Sequence, residues 1–206
     1  MKVLLIGTKG FIGQNLIKFL KKKHTVTGVN FDKFLSIDLN KLKSFDVIMN
    51  TSISKKYAYG KYSEKHDRDR LICNKIVNLS NKYFIISTRK VYKAGVSLKE
   101  NSNLFFKNFY EKNKYKTETI CAKLIQNRLV ILRPSNIIGL KKSSKFAVHK
   151  TFLDHFRNFK KKGTIPIVKK SYKDFITIKQ FSKIVSKMIE KKDICKGIYN
   201  ISINKK

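Results

Sequence analysis

A chain of 206 residues can bury one substantial core and a small second lobe. Its 42% hydrophobic content excludes a disordered protein. No apolar run approaches the roughly 20 residues that span a bilayer. The opening run stops at Gly7, followed by Thr8 and Lys9, without the cleavage pattern of a signal peptide. The formal charge of +34 predicts a salt-sensitive attraction for anions such as nucleotide phosphates. Because the lysines are spread through nearly every segment, a solvated face is expected rather than a nucleic-acid groove.

The pattern alternates strands and helices from the first residues. Residues 3–6 read as a buried parallel strand, and residues 13–21 as a helix with Leu16, Ile17, Phe19 and Leu20 on its apolar face. Strands are expected at 26–31 and 45–49, a helix at 71–79 and a strand at 83–86. A long helix over 110–125 and a strand at 129–132 follow. Beyond Gly139 the pattern is less regular: a helix at 152–159, a strand at 165–168, a helix at 178–189 and a strand at 198–201. Such alternation predicts an α/β fold, a parallel sheet with helices on both faces. Cys73, Cys121 and Cys195 are odd in number and widely separated, which fits a reducing, cytoplasmic setting. The four scattered histidines make no metal spacing.

The first strand runs into Gly7-Thr8-Lys9-Gly10-Phe11-Ile12-Gly13, with glycines at i, i+3 and i+6. Between a strand and a helix, such a loop turns tightly, lets backbone approach a diphosphate and packs helix on strand. The helix N-terminus then offers its amides to phosphate. Gly7, Gly10, Phe11, Ile12 and Gly13 are therefore expected at a dinucleotide. Asn30, Asp32 and Lys33 follow the second strand. Asp32 suits the ribose hydroxyls of NAD, whereas Asn30 with Lys33 tolerates the extra phosphate of NADP, so both cofactors stay open. Asp38 and Leu39 are placed to meet the adenine edge, and Asn50, Thr51 and Ser52 end the third strand beside the cofactor.

Four further signatures come in order: Phe84-Ile85-Ile86-Ser87-Thr88-Arg89-Lys90-Val91-Tyr92; Tyr110-Glu111-Lys112-Asn113-Lys114 with Glu118; Leu132-Arg133-Pro134-Ser135-Asn136-Ile137-Ile138-Gly139; and Lys173-Asp174-Phe175-Ile176. Together with the glycine loop, and up to Gly197-Ile198-Tyr199-Asn200-Ile201, the set resembles the NAD-dependent epimerase/dehydratase family of extended short-chain dehydrogenases. The resemblance implies a Rossmann-like, doubly wound sheet over residues 1–139. A shortened substrate lobe over 140–206 would be interleaved with the end of that sheet. It also implies a nucleotide-linked sugar as substrate and a place in surface polysaccharide synthesis, and leaves a homodimer open.

Tyr110 and Lys114 are four residues apart and so share a helical face. An unperturbed phenol titrates near ~10, and a neighbouring ammonium lowers that value. In the resemblance Tyr110 exchanges a proton with the substrate oxygen, Lys114 tunes it and binds the nicotinamide ribose, and Thr88 hydrogen-bonds the same oxygen. Ser87 is the second candidate for the Thr88 role. Pro134 and Ser135 would approach the nicotinamide, Arg133 is either a site residue or a structural partner, and Asn74 matches a family asparagine. Tyr57 and Lys61 repeat the Tyr-x-x-x-Lys spacing ahead of the fourth strand and are read as a coincidence of a lysine-rich chain. Dehydratases of the family carry Asp-Glu directly after the threonine. Arg89 and Lys90 stand there, which disfavours elimination of water and leaves reduction and epimerisation. The chain also stops soon after Ile201, where relatives usually continue, so the pocket for the nucleotide half of the substrate is expected to be reduced, shared with a partner subunit or lost. The alternatives are a non-catalytic NAD(P)-binding module with a relic site and, on charge alone, a nucleic-acid-binding protein. The joint presence of Thr88, Tyr110 and Lys114 disfavours the first.

Overall fold

A computed structural model describes residues 1–140, 152–164, 173–191 and 196–203. In chain order the elements are β1 (Lys2–Ile6), α1 (Phe11–Leu20), β2 (Thr25–Val29), α2 (Phe31–Leu35), α3 (Leu39–Lys43), β3 (Val47–Asn50), α4 (Lys55–Tyr59) and α5 (Arg68–Ile76). They continue with β4 (Lys82–Ile86), α6 (Phe109–Leu124), β5 (Leu129–Pro134), β6 (Asn136–Ile138), α7 (Phe152–Lys162), β7 (Phe175–Thr177), α8 (Ile178–Glu190) and β8 (Gly197–Ile201). The strand expected at 165–168 lies outside the described residues, as does Cys195.

Six strands form one parallel sheet in the order β2-β1-β3-β4-β5-β8. This is the Rossmann-like, doubly wound arrangement. The period-2 alternation of the strands divides their side chains between two cores. Leu4, Ile6, Ile48, Tyr83, Ile85, Leu129 and Ile131 face α5 and α6, where Ile72, Cys73, Ile76, Cys121 and Ile125 meet them. Val3, Leu5, Val47, Met49, Phe84, Val130 and Leu132 face the other way, onto Leu16 and Leu20 of α1 and Phe181, Val185 and Ile189 of α8. Central strands covered on both faces need apolar residues at every position, which is why β1 reads as an unbroken run. β6 and β7 make a second, two-stranded parallel sheet directly after β5.

Several elements begin where a side chain satisfies the first free amides. Asn30, Asp38, Ser54, Asp67 and Asn108 cap α2, α3, α4, α5 and α6, and Thr177 with Gln180 forms a capping box on α8. The Asn30 cap ends β2 at Val29, two residues short of the expected limit, because Phe31 already belongs to a helix. Gly10, extended and without a side-chain cap, starts α1 at Phe11 rather than at Gly13. Among the described residues no helix is long and apolar enough to cross a membrane.

The chain leaves β1 for β2 on one side and returns to β3 on the other. A sheet of this kind opens a crevice at the carboxyl ends of the strands where the order reverses. Here that point lies between β1 and β3.

Candidate active site

A cleft of ≈ 720 Å³ occupies that position, within the range of small-molecule and cofactor sites. Its lining joins the loop after β1, the end of β2, residues 51–55 after β3, the end of β4, the start of α6 and the end of β5.

The loop after β1 is built for glycine. Gly7 has φ +88° and donates its N–H to the Val29 carbonyl at 2.8 Å, while Gly10 donates to the Gly7 carbonyl at 3.1 Å. A Cβ on Gly7 would lie 2.6 Å from the Ser52 nitrogen, and one on Gly13 only 2.3 Å from the Gly7 oxygen. Gly7 therefore serves the turn and Gly13 the helix–strand contact. A Cβ on Gly10 would meet nothing closer than 3.5 Å, so no contact within the protein itself requires glycine there. No side chain caps α1, whose N-terminal amides remain for an anion.

Of the residues expected at the cofactor, Gly7, Gly10, Phe11, Ile12, Asn30, Asp32, Pro134 and Ser135 line this cleft, and so do Thr88 and Tyr110. Gly13, Asp38, Leu39, Asn50 and Lys114 do not. Gly13 is buried inside the turn. Asp38 is exposed and occupied in capping α3 through Asn40 N–H at 2.7 Å, with Leu39 beside it 47% exposed. Asn50 stands behind the wall: its Oδ1 accepts the Ser52 N–H at 2.8 Å and the Ser52 hydroxyl at 2.6 Å, shaping the loop that does line the cleft. Asn74 points to solvent on α5.

At the far end the strand termini carry hydroxyls. Thr88 is buried, and its Oγ1 accepts the Lys90 N–H at 3.2 Å, which leaves its own hydrogen to donate. The hydroxyls of Ser87 and Ser135, residues only 3% and 5% exposed, have no hydrogen-bond partner among the described residues. Orphaned buried hydroxyls are costly, and two of them on one cleft wall suit a polar ligand. Together with the glycine cradle, they are the features that fit a dinucleotide here.

Tyr110, in the first turn of α6, reaches the cleft. Lys114 lies one turn behind, donating from Nζ to the Ile86 carbonyl at 2.8 Å and standing 3.5 Å from Asp69 Oδ2. Burial works against the Lys114 charge, but Asp69, Tyr110 and Asp67 outweigh it and raise its pKa. The tuning of Tyr110 differs from the expectation. Burial pushes the phenol above its ordinary value, and Lys114 offsets this only in part while Asp69 and Glu111 add to it.

Tyr57 is removed from the cleft: it is buried and bonded through its hydroxyl to Thr117 at 2.6 Å. Arg133 is a structural partner. It is 2% exposed, donates from Nε to Glu118 at 3.0 Å and from Nη2 to the other Glu118 oxygen, and donates from Nη1 to the Tyr92 hydroxyl at 2.7 Å. Tyr92 in turn donates to Asn200 at 2.8 Å, so the group ties α6, β5 and β8 together.

Sequence reasoning missed Arg68, Lys55, Phe31 and Asp69. Arg68 and Lys55 line the cleft with Lys9, and the Arg68 guanidinium lies 4.8 Å from the centre of the Phe31 ring. In a chain with 47 Lys and Arg residues, no local signal separates these cations from the rest. Among the described residues no group of three or more His, Cys, Asp or Glu could hold a metal ion.

The sequence matches the NAD dependent epimerase/dehydratase family over residues 3–202, and the chain belongs to that family. No curated protein matches it. Among solved structures, it is similar to UDP-glucuronic acid 4-epimerase from Bacillus cereus in complex with UDP-glucuronic acid and NAD. The identity is 20% and the TM-score 0.80, covering 100% of this chain and 78% of that one. UDP-N-acetylglucosamine 4-epimerase from Methanobrevibacter ruminantium M1, in complex with UDP-N-acetylmuramic acid, is 20% identical with a TM-score of 0.75, covering 99% and 77%. A dTDP-4-dehydrorhamnose reductase from Clostridium acetobutylicum is 18% identical with a TM-score of 0.74, covering 100% and 75%.

Proposed function

We propose that the chain is an NAD(P)-dependent reductase or epimerase of a nucleotide-linked sugar. The observation that carries this reading is the meeting of Thr88 and Tyr110 with the glycine loop in one cleft. When bound, a nicotinamide dinucleotide would supply or accept the hydride. The protein's own part is orientation and proton transfer. Tyr110 gives a proton to a keto oxygen as it becomes a hydroxyl, or takes one from a hydroxyl as it is oxidised. Thr88 donates a hydrogen bond to the same oxygen and fixes its approach. Lys114, from behind, supports the phenol without touching the cleft. Gly7, Gly10 and the uncapped start of α1 hold the diphosphate.

Dehydration is the reading least supported. It asks for a carboxylate acid–base pair near the reacting carbon, but Arg89 and Lys90 follow Thr88 in a short 3-10 turn. Asp32 is the carboxylate of the cleft lining, and it sits beside Phe31 near Arg68, with the end of β2. Asn30 and Asp32 share the cleft lining with Lys9, Lys55 and Arg68, a set that accommodates either NAD or the additional phosphate of NADP.

The test is a panel of UDP- and dTDP-linked sugars, with keto-sugars offered together with NADH or NADPH. Epimerisation is followed by NMR and reduction by loss of absorbance at 340 nm. Turnover of at least one sugar, without release of water from it, is expected. Turnover by water elimination, or none across the panel despite bound cofactor, would overturn the reading.

A further inference from the structure

Under the floor of the cleft lies a carboxylate that proton transfer itself does not use. Asp69, in the first turn of α5, is 4% exposed. Its Oδ1 accepts the Asn50 side-chain amide at 2.8 Å and the Tyr83 hydroxyl at 2.7 Å, while its Oδ2 stands 3.5 Å from Lys114 Nζ. Asn50 belongs to β3 and Tyr83 to β4, so two strands of the sheet hold this carboxylate in place. Lys114 is itself 6% exposed, and its other acceptor is the Ile86 carbonyl at the end of β4. A buried ammonium stays charged where acceptors and anions surround it, here the Ile86 carbonyl, Asp69 and Asp67. Ile86 immediately precedes Ser87 and Thr88, so whatever fixes Nζ there fixes it directly behind the reacting end of the cleft.

We propose that Asp69 is the positioning residue of the site: it anchors the Lys114 ammonium at the end of β4 and takes up part of the charge that Lys114 would otherwise present to Tyr110. This rests on reading Tyr110 and Lys114 as the acid–base pair. The groups whose charge acts on the phenol are Lys114 and Glu111 from α6, Asp69 from α5 and Tyr59 from α4, with Tyr57 of α4 coupled to it. Those that face the ammonium are Asp69 and Asp67 from the start of α5 and Tyr110 itself. Lys114 is the group among them that favours the phenolate. With the Ile86 carbonyl and Asp67 still holding the ammonium, removing the negative charge of Asp69 leaves it less balanced and takes an anion away from the phenol. Both changes stabilise the phenolate, so the Tyr110 titration moves down.

The experiment labels the 206-residue chain with ¹³Cζ-tyrosine and follows each ring by NMR as pH is raised, with Tyr110→Phe to assign the resonance. In the wild type, Tyr110 stays protonated where an ordinary phenol, near ~10, is half titrated. In Asp69→Asn, close to isosteric and still able to accept from Tyr83, its midpoint falls by about one pH unit or more. Asp69→Ser, also neutral but smaller, is the second variant and shifts it the same way. Lys114→Gln moves it up. An unshifted midpoint in either neutral variant, with circular dichroism showing the fold retained, overturns the proposal. A shifted midpoint alongside normal turnover by Tyr110→Phe leaves the positioning role standing and removes the acid–base reading instead.

Discussion

Tyr110→Phe lowers turnover by about 10²–10⁴-fold, the usual contribution of a positioned acid or base, and leaves dinucleotide affinity unchanged. The change removes one hydroxyl and keeps the ring, so the wall it forms at the start of α6 stays in place. Thr88 cannot take over, because an aliphatic hydroxyl does not act as a proton-transfer acid in water; it accepts from Lys90 N–H and offers the substrate oxygen a hydrogen bond only. The pH profile separates the two directions of reaction. Burial raises the phenol above its ordinary value, so Tyr110 is neutral and able to donate throughout the neutral range. Keto-sugar reduction, which uses the protonated form, is therefore flat through neutral pH and is lost as pH rises through the raised pKa. Oxidation of a hydroxyl, which needs the phenolate, speeds up over the same interval. Steady-state rates between pH 6 and 11, with fluorescence titration of NADH for binding, check both. Full turnover by the variant would remove Tyr110 from the mechanism.

Arg133→Met costs about 3–5 kcal/mol of stability, the typical penalty for leaving a buried charge without its partner. Glu118 is 3% exposed on α6 and faces Arg133 with both oxygens. With Arg133 gone, the carboxylate is sealed from water by the sheet, and Tyr92 loses the donor that fixes its hydroxyl towards Asn200. Against a usual total of about 5–15 kcal/mol, this is a large share. Replacing both members of the pair, Arg133→Met with Glu118→Leu, recovers most of the loss, because no charge is then stranded. Urea unfolding followed by circular dichroism measures the two variants. Equal stability of Arg133→Met and the wild type would show that Glu118 finds another partner.

What could be read from the sequence follows burial. β1, β4 and β5 lie inside the sheet with helices on both sides, so Val3 to Ile6, Tyr83 to Ile86 and Leu129 to Leu132 appear as continuous apolar runs. β2 is an edge strand whose Thr25, Thr27 and Gly28 are exposed, and its end was set by the Asn30 cap, a local bond that periodicity does not show. α2, α3 and α4 span five residues each, too short for a helical period, and only their caps at Asn30, Asp38 and Ser54 mark them. β6 and β7 are three residues each, and their pairing depends on a partner remote in the chain. At the site, Gly7 and Gly13 were legible because close backbone contacts admit no other residue. Thr88 and Tyr110, expected from their order along the chain, line the cleft, while Lys114 lies one turn behind it. Asp69 was not legible, since an acidic residue at a helix start reads as dipole compensation. Its pairing with Lys114 arises only where α5 and α6 pack together.

The central claim is that the crevice between β1 and β3 holds a nicotinamide dinucleotide against Tyr110. Isothermal titration of NADH and NADPH into the full chain at low salt tests it most directly, with ¹³Cζ-tyrosine spectra recorded at saturation. Saturable one-to-one binding of at least one of them, with a shift of the Tyr110 resonance, is the predicted result. Absence of binding by both, or binding that leaves Tyr110 untouched, contradicts it.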